Sequence, residues 1–262
     1  MQAGNSKNHY ICKEKHAFFE KNMLEKTEGI VLHTLKYSDS ADVISVYTGL
    51  YGKMTFMVYR SHKKKSKFKS AFFQPLSLLD IDMEYKQNRD LQTLKEVRTA
   101  VAFKSIPFSP AKNAITLFLS EVLFRSLHNE RDEYLFEYLK KSIVFLDDLK
   151  EGTGNFHLLF LFGLSRHLGF EPNPENGDVY PYFDLLNGVF CPSKPLHRHF
   201  AEGETAKAFY HIGNSNWVDA AQVVTTRSLR AEVLNKLMEY YQLHVPDFRN
   251  INSLEVLHTI FA

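Results

Sequence analysis

The chain has 262 residues, of which 44% are hydrophobic and 24% charged, as is typical of folded globular proteins rather than disordered or fibrous ones. Its 32 Lys and Arg residues against 30 Asp and Glu give a net charge of +2, too small to indicate a nucleic-acid partner. The longest strongly apolar stretch, 156–164, falls short of the roughly 20 residues that span a bilayer, and the N-terminus lacks a secretory pattern. We therefore expect a cytoplasmic protein that does not enter a membrane.

Residues 1–22 precede a second Met at position 23 and follow no strict period. We interpret them as a flexible extension, which is either a genuine N-terminal arm or the product of an over-extended start codon. The two cysteines, Cys12 and Cys191, are too few for a disulfide framework or a four-ligand zinc site. We expect both to be reduced.

Residues 23–104 have the pattern of a β-domain, because apolar and polar residues alternate in short runs separated by turn residues. Gly49 and Gly52 flank a tight hairpin turn, where positive φ angles are needed. The pattern predicts five strands, at 28–36, 43–48, 54–60, 73–85 and 91–101. Five short strands joined mostly by hairpins indicate a small barrel of the OB-fold type.

Residues 105–262 have helical spacing, opened by Ser109 as N-cap and Pro110 at the first helical position. We predict a helix to about 128, a second over 132–149, and a third over 155–168 that is apolar nearly all round and therefore central. An irregular insertion at about 171–213 contains a hairpin around Asn187 and Gly188, and helices return at 227–243 and 254–261. The predicted class is α+β, a β-barrel followed by an all-helical domain.

The small net charge conceals a difference between these two regions. Residues 23–104 carry 14 basic and 9 acidic side chains, a net +5, and residues 105–262 carry 14 and 19, a net −5. The run 60–69 alone has six basic residues and no acid. Such a run is often only a solvated loop. This run, however, lies beside the aromatic residues of a predicted OB-fold. Cations that bind phosphates and aromatic rings that stack on bases are the two parts of a single-strand binding surface. Alternate aromatic side chains of a strand must nevertheless face the core.

Six segments stand out along the chain. They read TEGIVLHTLKYSDSAD at the first strand, VYTGLYGK at the hairpin and YRSHKKKSKFKSAFFQPL through the basic run. LFLSEVLFRSL, LSRHLGFEP and NSLEVLHTIF follow in the helical region. No one segment is a catalytic signature, but together, in this order over about 24–261, they resemble the RecO family of bacterial recombination mediators.

This resemblance implies a non-enzymatic DNA-repair protein, without a cofactor, that binds single- and double-stranded DNA, anneals complementary strands and associates with the nucleoid. It also implies action with RecR to load RecA onto strands coated by single-strand-binding protein, whose C-terminal tail would be a partner. Carried over to this chain, the DNA contacts are Arg60, Lys63, Lys64, Lys65, Lys67 and Lys69, with Lys53, Arg98, Tyr51 and Tyr59 as further candidates. An acidic partner tail could meet Arg125 or Arg166 among the first three helices.

The chain departs from the family at one point. Many members carry a four-cysteine zinc site in the insertion, where this chain has only Cys191. His197 and His199 lie nearby in sequence, but three ligands make a weak site, so we predict no bound metal.

Other chemistry has little support in the sequence. The glycines near 49–52 and 152–154 do not complete a phosphate-binding loop, and neither HExxH nor GxSxG occurs. Asp80, Asp82 and Glu84 alternate along one strand, so they form either a nuclease metal cluster or, as we favour, the solvent face of that strand. Two further alternatives are an RNA-binding OB-fold protein of translation or RNA processing, and an interaction scaffold with an incidental basic loop.

Overall fold

The computed structural model describes residues 23–59, 68–87, 89–221, 223, 226–249 and 251–261. The N-terminal region forms a closed barrel with strand order β1-β2-β3-β5-β4. Its strands are β1 (Met23–Lys36), β2 (Ala41–Thr48), β3 (Gly52–Tyr59), β4 (Leu78–Tyr85) and β5 (Leu91–Thr99). The predicted five-stranded OB-like barrel is confirmed.

The barrel closes because β1 is long enough to serve two neighbours. Its first half pairs with β4 and its second half with β2, and its register with β2 shifts between Val31 and His33. Such irregularities bend a strand and increase its twist. The remaining seam is a short parallel pairing of β3 with β5, which leaves no open sheet edge.

Alternate residues of each strand fill the barrel. Inside lie apolar side chains such as Ile44, Phe56, Ile81 and Met83, all essentially without solvent exposure. Gly29 in β1 faces the same interior, where an added Cβ would come within 2.6 Å of the Val46 side chain. Only glycine fits there, so this position allows β1 to pass close to its neighbours.

The predicted fourth strand began too early. Instead of continuing from 73, the chain forms a short 3-10 helix over Ser70–Phe73 and enters β4 only at Leu78. Leu76 has a φ of 59°, which lies outside strand geometry, and Pro75 has no N–H for a ladder hydrogen bond. These two residues turn the chain before the strand begins.

The C-terminal region packs helices around one central member. The helices are α1 (Pro110–Ser126), α2 (Glu133–Asp148), α3 (Thr153–His167), α4 (Gly203–Gly213), α5 (Arg227–His244) and α6 (Leu254–Phe261). Ser109 caps α1 as predicted, and α3 is buried over nearly all of its length. No helix among the described residues is long and apolar enough to cross a bilayer.

The insertion is more regular than predicted. It contains a three-stranded sheet of order β7-β6-β8, made of Tyr182–Asp184 (β6), Val189–Cys191 (β7) and Phe200–Glu202 (β8). The predicted hairpin around Gly188 is β6–β7, with Phe183 opposite Phe190. The helix α4, which was not predicted, occupies the last eleven residues of this segment and buries Ala206, Phe209 and Ile212.

The two regions are joined by a hydrogen-bonded linker. The carboxylate of Asp147, near the end of α2, accepts hydrogen bonds of 2.7–2.9 Å from the backbone N–H groups of Lys104, Ser105 and Ile106. The ammonium of Lys112 donates to Ser105 Oγ and to the carbonyls of Asp147 and Leu149. The chain that leaves the barrel is therefore held against both α1 and α2.

Candidate nucleic-acid interface

Most of the predicted basic run lies outside the described residues. Arg60, Lys63, Lys64, Lys65 and Lys67 fall within 60–67. The described chain stops at Tyr59, the last residue of β3, and resumes at Phe68, which packs against the barrel core. Lys69, the last cation of the run, is exposed.

The end of the barrel where β3 stops also carries two exposed aromatic side chains. Tyr37 follows β1 and Tyr59 ends β3, and each has 66% of its surface exposed. The N–H of Tyr37 donates to the carbonyl of Ala41, and Ala41 is the β2 residue opposite Tyr59. Both tyrosines therefore flank one residue at one end of the barrel.

An apolar row continues from these tyrosines along the outside of the barrel. Leu35 is opposite Val43 in β2, and Val43 is opposite Met57 in β3. Met57 and Tyr59 alternate with Phe56 and Val58, whose side chains fill the interior, so the first pair points outward. We call Leu35, Tyr37, Ala41, Val43, Met57 and Tyr59 the outer strip, in which the Ala41 side chain is itself buried. In OB-folds, the outer face of strands 2 and 3 is the usual site of nucleic-acid contact.

Tyr51 lies at the other end of β3. Its ring stacks on that of Tyr85, with 4.3 Å between the centroids, and both rings pack beneath the barrel core. Partial burial and then the nearby Glu25 raise the pKa of its hydroxyl. Eight residues of extended chain separate Tyr51 from Tyr59, roughly 25 Å at about 3.3 Å per residue. The structure thus does not bring the two predicted tyrosines together.

Lys53, which was predicted as a further DNA contact, has partners within the protein. Its ammonium donates to the carbonyls of Phe124 and Leu127 at the end of α1, at 3.0 and 2.7 Å, and lies 5.1 Å from the centre of the Phe124 ring. Burial lowers the pKa of this lysine. The ammonium of Lys53 therefore holds the barrel against the helical region. The position of Lys53 in the sequence does not predict this contact.

Arg98 has acidic surroundings. Its guanidinium lies 3.0 Å from the carboxylate of Glu96, and this hydrogen bond, followed by the charges of Glu96, Asp82 and Asp80, raises the pKa of the arginine. A DNA phosphate would have to approach against these carboxylates. The geometry does not favour Arg98 as a DNA contact.

The three alternating acids of β4 lie on its solvent side. Ile81 and Met83 between them are buried in the barrel, Asp82 lies 3.5 Å from the ammonium of Lys26, and Glu84 pairs with lysines. The hydrogen bond from Lys95 is the main reason that the pKa of Glu84 is lowered. Nowhere in the described ranges do three His, Cys, Asp or Glu side chains converge as metal ligands would. The three acids therefore lie on the outer side of β4, opposite the barrel interior.

The insertion does not present a zinc ligand set. The Nε2 of His197 lies 3.3 Å from the carboxylate of Asp184, and the Nδ1 of His199 lies 2.8 Å from that of Glu239. Cys191 Sγ is 3.8 Å from the Tyr182 carbonyl, and burial raises the pKa of its thiol. Because each side chain has a different partner, these residues do not fit a tetrahedral metal centre.

A groove in the helical region contains one of the two arginines predicted to meet an acidic tail. It has a volume of about 440 Å³ and is lined by aromatic side chains from α2, α3 and the segment after α4, namely Tyr138, Phe145, Phe162 and Trp217. Arg166 stands on its rim, with its Nε 2.8 Å from the carboxylate of Glu171. Arg125 instead lines a cleft between the barrel and α1, beside Glu121.

A five-stranded OB-like barrel followed by a helical region with a small inserted sheet defines the class of this protein. Two family models match it, "Recombination protein O N terminal" over residues 23–103 and "Recombination protein O C terminal" over residues 107–254. The chain therefore belongs to the RecO family of DNA repair proteins.

Curated relatives cover nearly the same extent. A DNA repair protein RecO of Bacteroides fragilis is 41% identical over 241 residues, which are 91% of this chain and all of that protein. Those of Phocaeicola vulgatus and Porphyromonas gingivalis are 37% and 31% identical, over 92% and 91% of this chain and the whole of each relative.

Proposed function

We propose that the protein is a non-enzymatic recombination mediator of the nucleoid that binds single- and double-stranded DNA through the outer strip and the basic run 60–69. The supporting observation is the distribution of charge. Outside this run, residues 23–104 hold only eight basic and nine acidic side chains. Seven of those eight basic residues, among them Lys26, Lys53 and Arg98, have a hydrogen-bond or ion-pair partner within the protein.

The basic run would attract phosphates over a long range, since neutralising them releases counterions. The exposed tyrosines would offer ring faces to bases, which stack on aromatic side chains with little regard to sequence. Lysine ammonium groups on long flexible stems hold a backbone without fixing its register. These properties suit the annealing of two complementary strands.

Strand annealing tests this proposal. Complementary strands labelled with a donor and an acceptor dye are mixed with the protein, with and without single-strand-binding protein. The test variant replaces Lys63, Lys64, Lys65, Lys67 and Lys69 by Ala, and a charge-matched control replaces five exposed cations of the helical region, Lys141, Lys150, Lys194, Lys207 and Arg249.

We expect the test variant to anneal at least about tenfold more slowly and the control to keep the normal rate. Equal rates for wild type and test variant would remove this site from the proposal. Competition between matched DNA and RNA strands belongs to the same experiment, because a preference for RNA would indicate an RNA-binding OB-fold protein instead.

The helical region would serve protein partners, RecR and the C-terminal tail of single-strand-binding protein, in loading RecA. Its net charge of −5 repels DNA. The aromatic groove fits an acidic tail that ends in an apolar residue, because Arg166 could exchange Glu171 for a carboxylate of the tail.

Trp217 offers a direct measurement, since it is the only tryptophan of the chain and lines this groove. A peptide that copies the tail should change its fluorescence in a saturable way, and Arg166→Met should weaken binding about tenfold because a charge-assisted hydrogen bond is lost. Arg131→Met, on an exposed arginine paired with Glu133, is the control. If the two variants bind the peptide equally, the tail binds elsewhere.

A further inference from the structure

A second, smaller cleft lies between α3, α5 and α6, lined by residues from all three helices. Its volume is about 220 Å³, and its apolar wall is made by Ala231, Leu234, Leu257 and Phe261. A shallower depression that shares Arg227, Arg230 and Phe261 continues it towards the start of α3. Neither the outer strip nor the aromatic groove includes any of these residues.

Most polar side chains of this cleft are arginines or histidines. Arg227, Arg230, His157 and His258 line it together with Ser228, and none of the described residues that line it is acidic. Arg230 packs on Gly154 in the first turn of α3, where a Cβ added to the glycine would lie 3.5 Å from the arginine Nε. Among the described residues, the arginines give this concave surface a positive potential, which favours an anion.

Two buried nitrogen atoms of the cleft have no hydrogen-bond partner in the described part of the chain. They are Nδ1 of His157 and Nε of Arg230. The side chain of His157 is only 2% exposed, so solvent cannot satisfy its nitrogen. Unpaired buried polar atoms are costly, and they are uncommon except where something else binds them.

The electrostatic surroundings agree with this geometry. Burial, followed by the charges of Arg230 and His258, lowers the pKa of His157 to about 3, so its ring is neutral at pH 7. Burial and then Arg227 lower the pKa of Arg230. The pKa values of His157 and Arg230 are thus lowered by the same two causes, which are burial and the positive charge of neighbouring residues.

Backbone dipoles add to the positive potential. The first residues of α3 and α5 border the cleft, and the N-terminus of a helix carries a partial positive charge. Gly152, which precedes α3, gives that helix no side-chain cap, although the N–H of Asn155 in its first turn donates to the Gly152 carbonyl.

We infer that this cleft binds a small organic anion. Its charged group would meet Arg230, Arg227 and the start of α3, and its apolar part would lie against Leu234, Leu257 and Phe261. The cleft is smaller than most drug-sized sites, which suits a compound of roughly ten non-hydrogen atoms. This inference is independent of the DNA-binding proposal.

Calorimetric titration of the full chain with phenyl phosphate in a phosphate-free buffer tests the inference. Inorganic phosphate provides the charge alone and benzyl alcohol the ring alone. We expect saturable binding of phenyl phosphate with a Kd at least about tenfold lower than for either fragment, because both parts of the cleft are then used. Absence of saturable binding, or inorganic phosphate binding as tightly as phenyl phosphate, would overturn the inference.

Two variants locate the site. Arg230→Met removes the charge while keeping a long apolar stem, and Ala231→Leu narrows the cleft without changing its charge. Each should raise the Kd for phenyl phosphate about tenfold or more, whereas Arg198→Met, on an exposed arginine of the insertion, should not. Thermal unfolding of each variant shows that it is folded. Binding that survives both cleft variants would place the ligand elsewhere and overturn the inference.

Discussion

Tyr37 and Tyr59 are large aromatic side chains left in solvent at one end of the barrel, and this exposure distinguishes them from the buried Phe56 and the stacked Tyr51. Only Tyr59 could be predicted from its place at the end of a strand. Tyr37 was missed because it lies in a turn, and only the register of β1, β2 and β3 brings it next to Tyr59.

Replacing both Tyr37 and Tyr59 by Ala should weaken binding of single-stranded DNA by about 2 kcal/mol, roughly thirtyfold, because stacking on two bases is lost. The dependence of binding on salt should not change, since neither side chain is charged. Fluorescence anisotropy at several salt concentrations measures both quantities. Tyr134→Ala, at an 84% exposed tyrosine of α2, is the matched control and should bind normally. Normal affinity in the double variant would exclude the outer strip as a base platform.

Lys53 lies beside the predicted binding surface, but its ammonium donates hydrogen bonds to carbonyls within the protein. Lys53→Met should lower the free energy of unfolding by about 2 kcal/mol, since two carbonyls at the end of α1 lose a charged donor. Urea denaturation measures this loss. The salt dependence of DNA binding should stay the same, and a slope reduced by one phosphate contact would instead support the original assignment of Lys53 to DNA.

Among the elements, the linker between the barrel and α1 depends on one carboxylate. Hydrogen bonds from Lys104, Ser105 and Ile106 lower the pKa of Asp147 below its ordinary 3.8, although desolvation, the largest single influence, acts in the opposite direction. A carboxylate with a lowered pKa stabilises the folded state above its unfolded pKa, and this contribution is lost as the pH falls through the folded value.

Asp147→Asn should therefore lower the free energy of unfolding by about 2 kcal/mol at neutral pH, because an amide oxygen replaces a charged acceptor of three N–H groups. The difference from wild type should begin to shrink as the pH falls below the ordinary pKa of 3.8, and it should be lost as the pH falls through the lower folded pKa, where the wild-type carboxylate also becomes neutral. Chemical denaturation at a series of pH values measures it. A constant difference down to pH 2 would contradict this account of the linker.

The elements that sequence predicted well are those with a regular apolar pattern, either along one buried face or, in α3, nearly all round. The strands β2, β3 and β5 and the helices α1, α2, α3, α5 and α6 all fall close to their predicted bounds. Helix α4 was missed because the surrounding prolines and histidines suggested a loop, although Ala206, Phe209 and Ile212 do have helical spacing. The start of β4 depends on the left-handed backbone of Leu76, a conformation that the residue type does not suggest.

For the whole molecule, the arrangement of charge matters more than the total of +2. Residues 23–104 have a net +5, but without the run 60–69 the same region has eight basic and nine acidic side chains. The net positive charge of the barrel region thus comes from the six basic residues of this run. Sequence identified this run, but it could not show that most other cations of the barrel region are paired, because those pairs depend on strand register.

We expect the run 60–69 to supply the electrostatic part of DNA binding, and the slope of log K against log salt concentration measures that part directly. Each phosphate contact with single-stranded DNA contributes about 0.7 to this slope. The variant in which Lys63, Lys64, Lys65, Lys67 and Lys69 are alanines should lose up to about 3.5 from the slope, and the charge-matched variant of the helical region should lose none. An unchanged slope in the first variant would contradict the account.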